Sequence, residues 1–228
     1  MAVGWIRDWA GVTETDGSTA ISGTALTAGS YVVIGTRVAV AQTAAAPVGG
    51  QFTELLNSAG SAVRLQMWGG YAVGGETSFT FTEGGTVLNV VLSEFSGIRA
   101  ASAVDLSATA ATGSGTSASS GDPGTTTTFG DEMVVTCCAW SGAATAVSCA
   151  QTDSPFEVHT EGDNAINATI LLHLSYLALA ATENPRATWS WNTNRTSASG
   201  IITLKGLGGG GTASWSGQDY LPRRRRGE

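Results

Sequence analysis

The feature that most constrains this chain is an order of apolar stretches that occurs twice. The first series runs YVVIGTRVAVA at 31–41, AVRLQMWGGYAV at 62–73, TSFTFT at 77–82 and TVLNVVLSEFSG at 86–97. The second runs MVVTCCAW at 133–140, NATILLHLSYLALA at 167–180, RATWSWN at 186–192 and SASGIITLKG at 197–206. Each reads as strand, long gap, long strand, short aromatic strand and a strand ending in Gly. That repetition predicts an all-β protein, one β-sandwich made of two related halves.

The strands carry the period of two expected of sheets. Phe79 and Phe81 share a face against Ser78, Thr80 and Thr82, and Trp189 and Trp191 share one against Thr188, Ser190 and Asn192. These matched aromatic pairs are expected in the core. Val63, Leu65 and Met67 alternate with Arg64, Gln66 and Trp68, which places Trp68 on a polar or subunit-contacting face. Leu88, Val90 and Leu92 lie opposite Val87, Val91 and Phe95, so this strand is apolar on both faces and is expected to be central or covered. Glu94 near its end reads as a rim carboxylate, and His173, opposite Leu172 and Leu174, as a surface or interface histidine.

Composition supports the same class. With 31 Gly and only 13% charged residues, the strands are short and rich in small side chains, and helices are not expected. The formal charge is −7, and removing residues 223–228 takes away four positive charges and one negative, leaving a body at −10. Such a body disfavours nucleic acid except through the tail. No apolar run approaches the ~20 residues of a membrane helix, and no signal-peptide core follows the N-terminus, so neither membrane insertion nor conventional secretion is expected. Three cysteines do not make a disulfide scaffold. Cys137 and Cys138 are adjacent and point to opposite faces; reduced thiols are the expectation, with one disulfide involving Cys149 as the alternative.

The chain divides into residues 1–24, an N-terminal arm or first strand, then a sandwich over 25–206 and a Gly-rich extension with a basic end over 207–228. Within the sandwich, approximate halves 25–97 and 129–206 are joined by a Ser/Thr/Gly-rich bridge. QFTELL at 51–56 reads as a strand and NSAG at 57–60 as a turn. Residues 98–129 carry the weakest strand pattern, with one strand possible in AVDLSATAATGSG and a loop at SSGDPGTTTT.

The motifs of known chemistry are absent from the sequence: no HExxH, GxxxxGK[ST] or GxSxG occurs, and no Cys pairs have metal spacing. His159 and His173 lack a partnering acidic or cysteine cluster, and Glu14 and Asp16 read as solvated loop acids. Asn167-Ala-Thr and Asn194-Arg-Thr match glycosylation acceptors by chance in a Thr-rich chain. No cofactor, metal or enzymatic activity is expected.

The ordered segments YVVIGTRVAVA, NSAGSAVRLQMWGGYAV, TSFTFTEGGTVLNVVLSEFSG, GDEMVVTCCAW and SASGIITLK resemble a family of bacteriophage virion proteins, minor tail or capsid-associated, and related β-sandwich modules of bacterial surface proteins. The resemblance spans roughly residues 25–206. It implies a jelly-roll-like sandwich with extended N- and C-terminal arms, a non-enzymatic structural part of a particle, made in the host cytoplasm and carried in the virion. A minor tail position stands ahead of capsid decoration. Implied partners are other virion proteins and further copies of the chain. The expected docking residues are Trp5 and Trp9 at the start and Trp215, Tyr220, Leu221, Arg223, Arg224, Arg225 and Arg226 at the end. The aromatics would anchor in a neighbour and the arginines pair with acidic protein surface. The Cys137-Cys138 pair and the basic extension depart from the family pattern. An alternative is a module for host-surface glycan with Trp68, Trp189 and Trp191 as an exposed stacking platform. A glycan hydrolase would need two acids about 5–9 Å apart in one cleft.

Overall fold

A computed structural model of the chain describes residues 2–14, 18–48, 51–83, 88–141, 149–151, 157–159 and 172–208. All regular structure among the described residues is β. The first half contributes β1 (Gly4–Glu14), β2 (Ser18–Ser22), β3 (Tyr31–Ala39), β4 (Gln51–Ala59), β5 (Val63–Tyr71), β6 (Ser78–Thr82) and β7 (Leu88–Ser96). The second contributes β8 (Val104–Ser119), β9 (Glu132–Trp140), β10 (Cys149–Gln151), β11 (Glu157–His159), β12 (Leu172–Ala178) and β13 (Thr188–Lys205). One sheet has the order β1-β7-β3-β5-β4 and another the order β10-β13-β9-β12-β11, with β8 also paired to β13; β2 and β6 form a two-stranded sheet. Every pairing is antiparallel. In the first sheet Tyr31 lies between Tyr71 and Phe95. In the second, Met133 lies between Ala178 and Leu204.

One apolar cluster draws on both large sheets: Val33, Leu65, Met67, Val91 and Phe95 from the first, and Val135, Cys137, Leu172, Leu174 and Ile202 from the second. The arrangement is consistent with a β-sandwich. A second cluster lies on the other face of the first sheet, where Ile21, Phe79 and Phe81 of the β2-β6 pair cover Val32, Ile34, Val90 and Leu92. This covering explains why β3 and β7 are apolar in both phases.

Two details differ from expectation. A jelly roll is built from Greek keys, whose fourth strand returns beside the first in the order 4-1-2-3. Here β5 inserts between β3 and β4, giving β7-β3-β5-β4, and each large sheet is drawn from one continuous half of the chain. The strand allowed for in AVDLSATAATGSG is present as β8, 16 residues long and composed almost wholly of Ala, Ser, Thr and Gly, which makes its hydrophobic pattern weak. Asn57, Ser58 and Ala59 are not a turn but remain paired with β5; the chain reverses at Gly60, whose N–H donates to the Val63 carbonyl at 2.8 Å.

Candidate functional site

The N-terminus, the bridge and the end of β13 converge at one pole of the sandwich. Val3 N–H donates to Asp131 Oδ1 at 3.2 Å, and Gly206 N–H donates to the Asp131 carbonyl at 2.8 Å. Leu207 N–H reaches the Gly97 carbonyl and Arg99 N–H the Lys205 carbonyl, each at 2.8 Å. Gly97 has φ 74° and sits so close to the first residues that a Cβ would lie 2.4 Å from the Ala2 carbonyl oxygen; glycine is required there. Beside this junction Trp5 is 47% exposed and Leu207 49%. The Trp5 ring stacks on Tyr176 across the sheets, centroids 6.0 Å apart at 9°, and Tyr176 meets Phe95 edge-on at 5.7 Å. Trp5 thus has part of its ring fixed by the sandwich and part open to a neighbour.

An open groove of about 220 Å³ lies near the same pole, lined by Tyr31, Gln51, Thr53, Gly69, Gly70, Tyr71, Ala100 and Ala103. A bulge in β4 between Glu54 and Leu56 bends its wall. The Tyr31 and Tyr71 rings meet edge-to-face at 4.9 Å, and the Tyr71 hydroxyl donates to the Arg99 carbonyl. Burial, with a smaller contribution from Tyr71, pushes the Tyr31 phenol far above its ordinary range; burial also raises Tyr71. Both act as neutral hydroxyls.

The acids of this region are engaged structurally. Glu94 is not at the rim: it is fully buried, because Arg7 Nε meets Oε2 at 2.8 Å while Thr27 N–H and Ser30 Oγ–H donate to Oε1 at 2.7 and 2.6 Å. This group ties β1 and β7 to the loop between β2 and β3. Asp105 and Glu132 stand on either side of β13 near Lys205, whose Nζ lies 3.3 Å from Asp105 Oδ1. Thr128 donates to Asp105 through N–H and hydroxyl at 2.6 and 2.9 Å, and Phe129 N–H donates to Glu132 Oε1 at 3.1 Å. Burial, reinforced by the Asp105 carboxylate, raises the Glu132 carboxyl. Burial acts in the same sense on Asp105, but hydrogen bonds from Thr128, Glu132 and Lys205 outweigh it and hold that carboxyl low. Opposed shifts of this kind can divide acid and base roles; here both groups are under the 127–129 loop, fastened to it. No group of three metal-ligating side chains occurs among the described residues.

Other sequence-nominated residues fall as follows. Trp9 is no docking anchor: only 2% exposed, it stacks on Phe79 at 5.5 Å and donates through Nε1 to the Thr24 carbonyl at 3.0 Å. Trp68, Trp189 and Trp191 do not form an open stacking platform, being 7%, 0% and 6% exposed. The face that alternation left open at Trp68 is covered by the second cluster, and Trp189 and Trp191 are buried, as expected of the aromatic pair, against Cys138 and Trp140. His173 is likewise buried instead of superficial, and its Nδ1 accepts from Trp189 Nε1 at 2.7 Å. Cys137 faces the inter-sheet core and Cys138 the opposite face; burial pushes the Cys137 thiol well above its usual range. Trp215, Tyr220, Leu221 and Arg223 to Arg226 lie outside the described residues, as do Asp16, Asn167 and the side chains of Glu14, Cys149 and His159. The groove and the junction were missed from sequence; their only local signal is the Gly69-Gly70 pair between Trp68 and Tyr71.

No protein-family model matches the chain, and no curated protein or solved structure is significantly similar to it.

Proposed function

We propose that this chain is a non-enzymatic structural component of a bacteriophage virion, a sandwich of two related halves whose termini dock on neighbouring subunits. The observation that carries the reading is the exit of both termini at one pole, flanked by the exposed Trp5 and Leu207. Contacts made by Trp5 at the start of β1 and by the extension after β13 would fall on the same neighbourhood, so the second forms at high effective concentration and modest contacts combine. The resemblance places a minor tail position ahead of capsid decoration. The test is particle incorporation: removing residues 207–228 should deplete the chain from particles while leaving its β structure intact. Undiminished incorporation refutes terminal docking.

The two-halves reading is supported by the pairing pattern. Leaving aside β2, β6 and β10 and keeping the three-residue β11, each half has five strands, and in each sheet they lie in the order first, fifth, second, fourth, third. The short elements correspond as well. Val48 bridges Thr80 between Phe79 and Phe81, and Ala150 pairs with Ser190 between Trp189 and Trp191. Gly35 and Cys137, each four residues beyond the matched Tyr31 and Met133, meet across the sheets: a Cβ on Gly35 would lie 2.8 Å from Cys137 Sγ. Contact between equivalent positions is what a two-fold axis produces.

A further inference from the structure

Three neighbouring strands bring a lysine and two acids together at the end of β13. Lys205 lies opposite Glu132 of β9 in register, and β8, on the other side of β13, carries Asp105. Lys205 Nζ meets Asp105 Oδ1 at 3.3 Å with the two side chains only 17% and 6% exposed, and Glu132 is fully buried. The backbone fixes the strands at this point: Lys205 N–H donates to the Ala103 carbonyl at 2.7 Å, and Leu106 N–H donates to Thr203 Oγ1 at 3.0 Å. The 127–129 loop is fastened over the group by Thr128 on Asp105 and by Phe129 N–H on Glu132 Oε1. Glu132 and Asp105 share a hydrogen bond, which two carboxyl groups can do only when one carries a proton. Burial raises Glu132 and assigns the proton to it. One ammonium therefore faces one carboxylate, with a carboxylic acid beside them.

We propose that Lys205 and Asp105 condense into an intramolecular amide bond, with Glu132 carrying the proton, so that β8 and β13 become covalently joined. The ammonium first gives a proton to the Asp105 carboxylate, leaving an amine beside a carboxylic acid. The amine lone pair attacks Asp105 Cγ, whose carbonyl oxygen is polarised by the Glu132 proton. The nitrogen then releases a proton to Glu132 as Glu132 delivers its own to the departing hydroxyl. The Cγ–O bond breaks, one water leaves, and Glu132 ends protonated as it began; no other reactant is needed. Holding amine and carboxyl in contact makes the condensation unimolecular, which for well-oriented pairs is equivalent to about 10⁵–10⁸ M of one reactant. Amide formation also removes two charges from a site where each bears a desolvation cost. The opposed shifts of Glu132 and Asp105 belong to the ion pair that precedes the bond. The amide would close the chain from 105 to 205, just before the start of the extension at 207. Load on that extension would then pass directly to β8 and could not strip β13 from its neighbours. This mechanical use rests on the terminal-docking reading; the bond itself does not.

The experiment is intact-mass spectrometry on the full chain, folded and then denatured. The expected mass is one water below that of the sequence, counted with or without Met1, and digestion should yield one branched peptide joining the segments of Asp105 and Lys205. Lys205→Arg keeps the positive charge without a nucleophilic amine and should show the full mass, as should Asp105→Ala. Glu132→Gln removes the proton carrier and should slow the water loss about 10²–10⁴-fold when followed from cell-free synthesis. Circular dichroism checks that each variant is folded. A wild-type chain of full mass overturns the proposal whether or not any variant folds. A water loss that persists in folded Lys205→Arg, as an aspartate imide would give, overturns it as well. Water loss at the wild-type rate in folded Glu132→Gln overturns the role of Glu132. None of these readings depends on particle incorporation, so the bond and terminal docking can fail separately.

Discussion

Replacing Trp9 separates a core residue from a docking residue. Its ring is 2% exposed, packed on Phe79 within the cluster between the first sheet and the β2-β6 pair. A buried aromatic removes about 150–250 Å² from water, which at about 25 cal/mol per Å² corresponds to roughly 4–6 kcal/mol. The extended-chain reference makes this an upper bound, so Trp9→Ala should cost about 3–5 kcal/mol, the usual range for a buried ring. Trp9→Phe keeps the ring contact with Phe79 but leaves the Thr24 carbonyl without its indole donor, a loss of about 1–2 kcal/mol. Trp5→Ala, with about half the ring already in water, should cost about half as much, at most roughly 2–3 kcal/mol. Urea denaturation followed by circular dichroism gives the comparison, with a lower midpoint at unchanged slope as the signature of lost stability. Equal effects of Trp9→Ala and Trp5→Ala would refute the assignment of Trp9 to the core.

The remaining predictions concern the polar interior and the bridge. Because Glu132 is raised by burial, the folded state holds its proton more tightly than the unfolded state, so its contribution is present at acid pH and is lost as pH rises through its folded value. Glu132→Gln should flatten that decline in a pH series of denaturation midpoints. Asp105, held low, contributes in the opposite sense, and Asp105→Asn should remove stability that is otherwise present above the ordinary carboxylate range. His173→Phe strands the buried Trp189 N–H and should cost about 1–3 kcal/mol by urea titration. Opening the chain between Ala101 and Ser102 should leave the two halves co-purifying, since both sheets share one apolar cluster; fragments that separate without denaturant would contradict the shared core.

How much could be read in advance differs element by element. The strands at 31–39, 63–71 and 88–96 and their second-half counterparts were legible because Val, Ile, Leu and Phe recur with the period of two. β8 was legible only as a weak strand in AVDLSATAATGSG, since an Ala/Ser/Thr/Gly strand is held by its neighbour's backbone and not by its own apolar face. NSAG shows the converse: turn-forming residues stay extended when an adjacent strand already supplies ladder partners.

By itself the sequence determined the all-β class, the main strands along the chain and the shared faces of Phe79 with Phe81 and of Trp189 with Trp191, because side-chain alternation is a local property of extended backbone. Only the tertiary structure decided which faces are covered. Alternation separates two faces without saying what lies on either, so Trp68 and His173 read as superficial until the β2-β6 pair and Trp189 were placed against them. The same holds for Glu94, whose burial depends on Arg7, and for the groove beside Gly69, where two distant segments approach without filling the space between them.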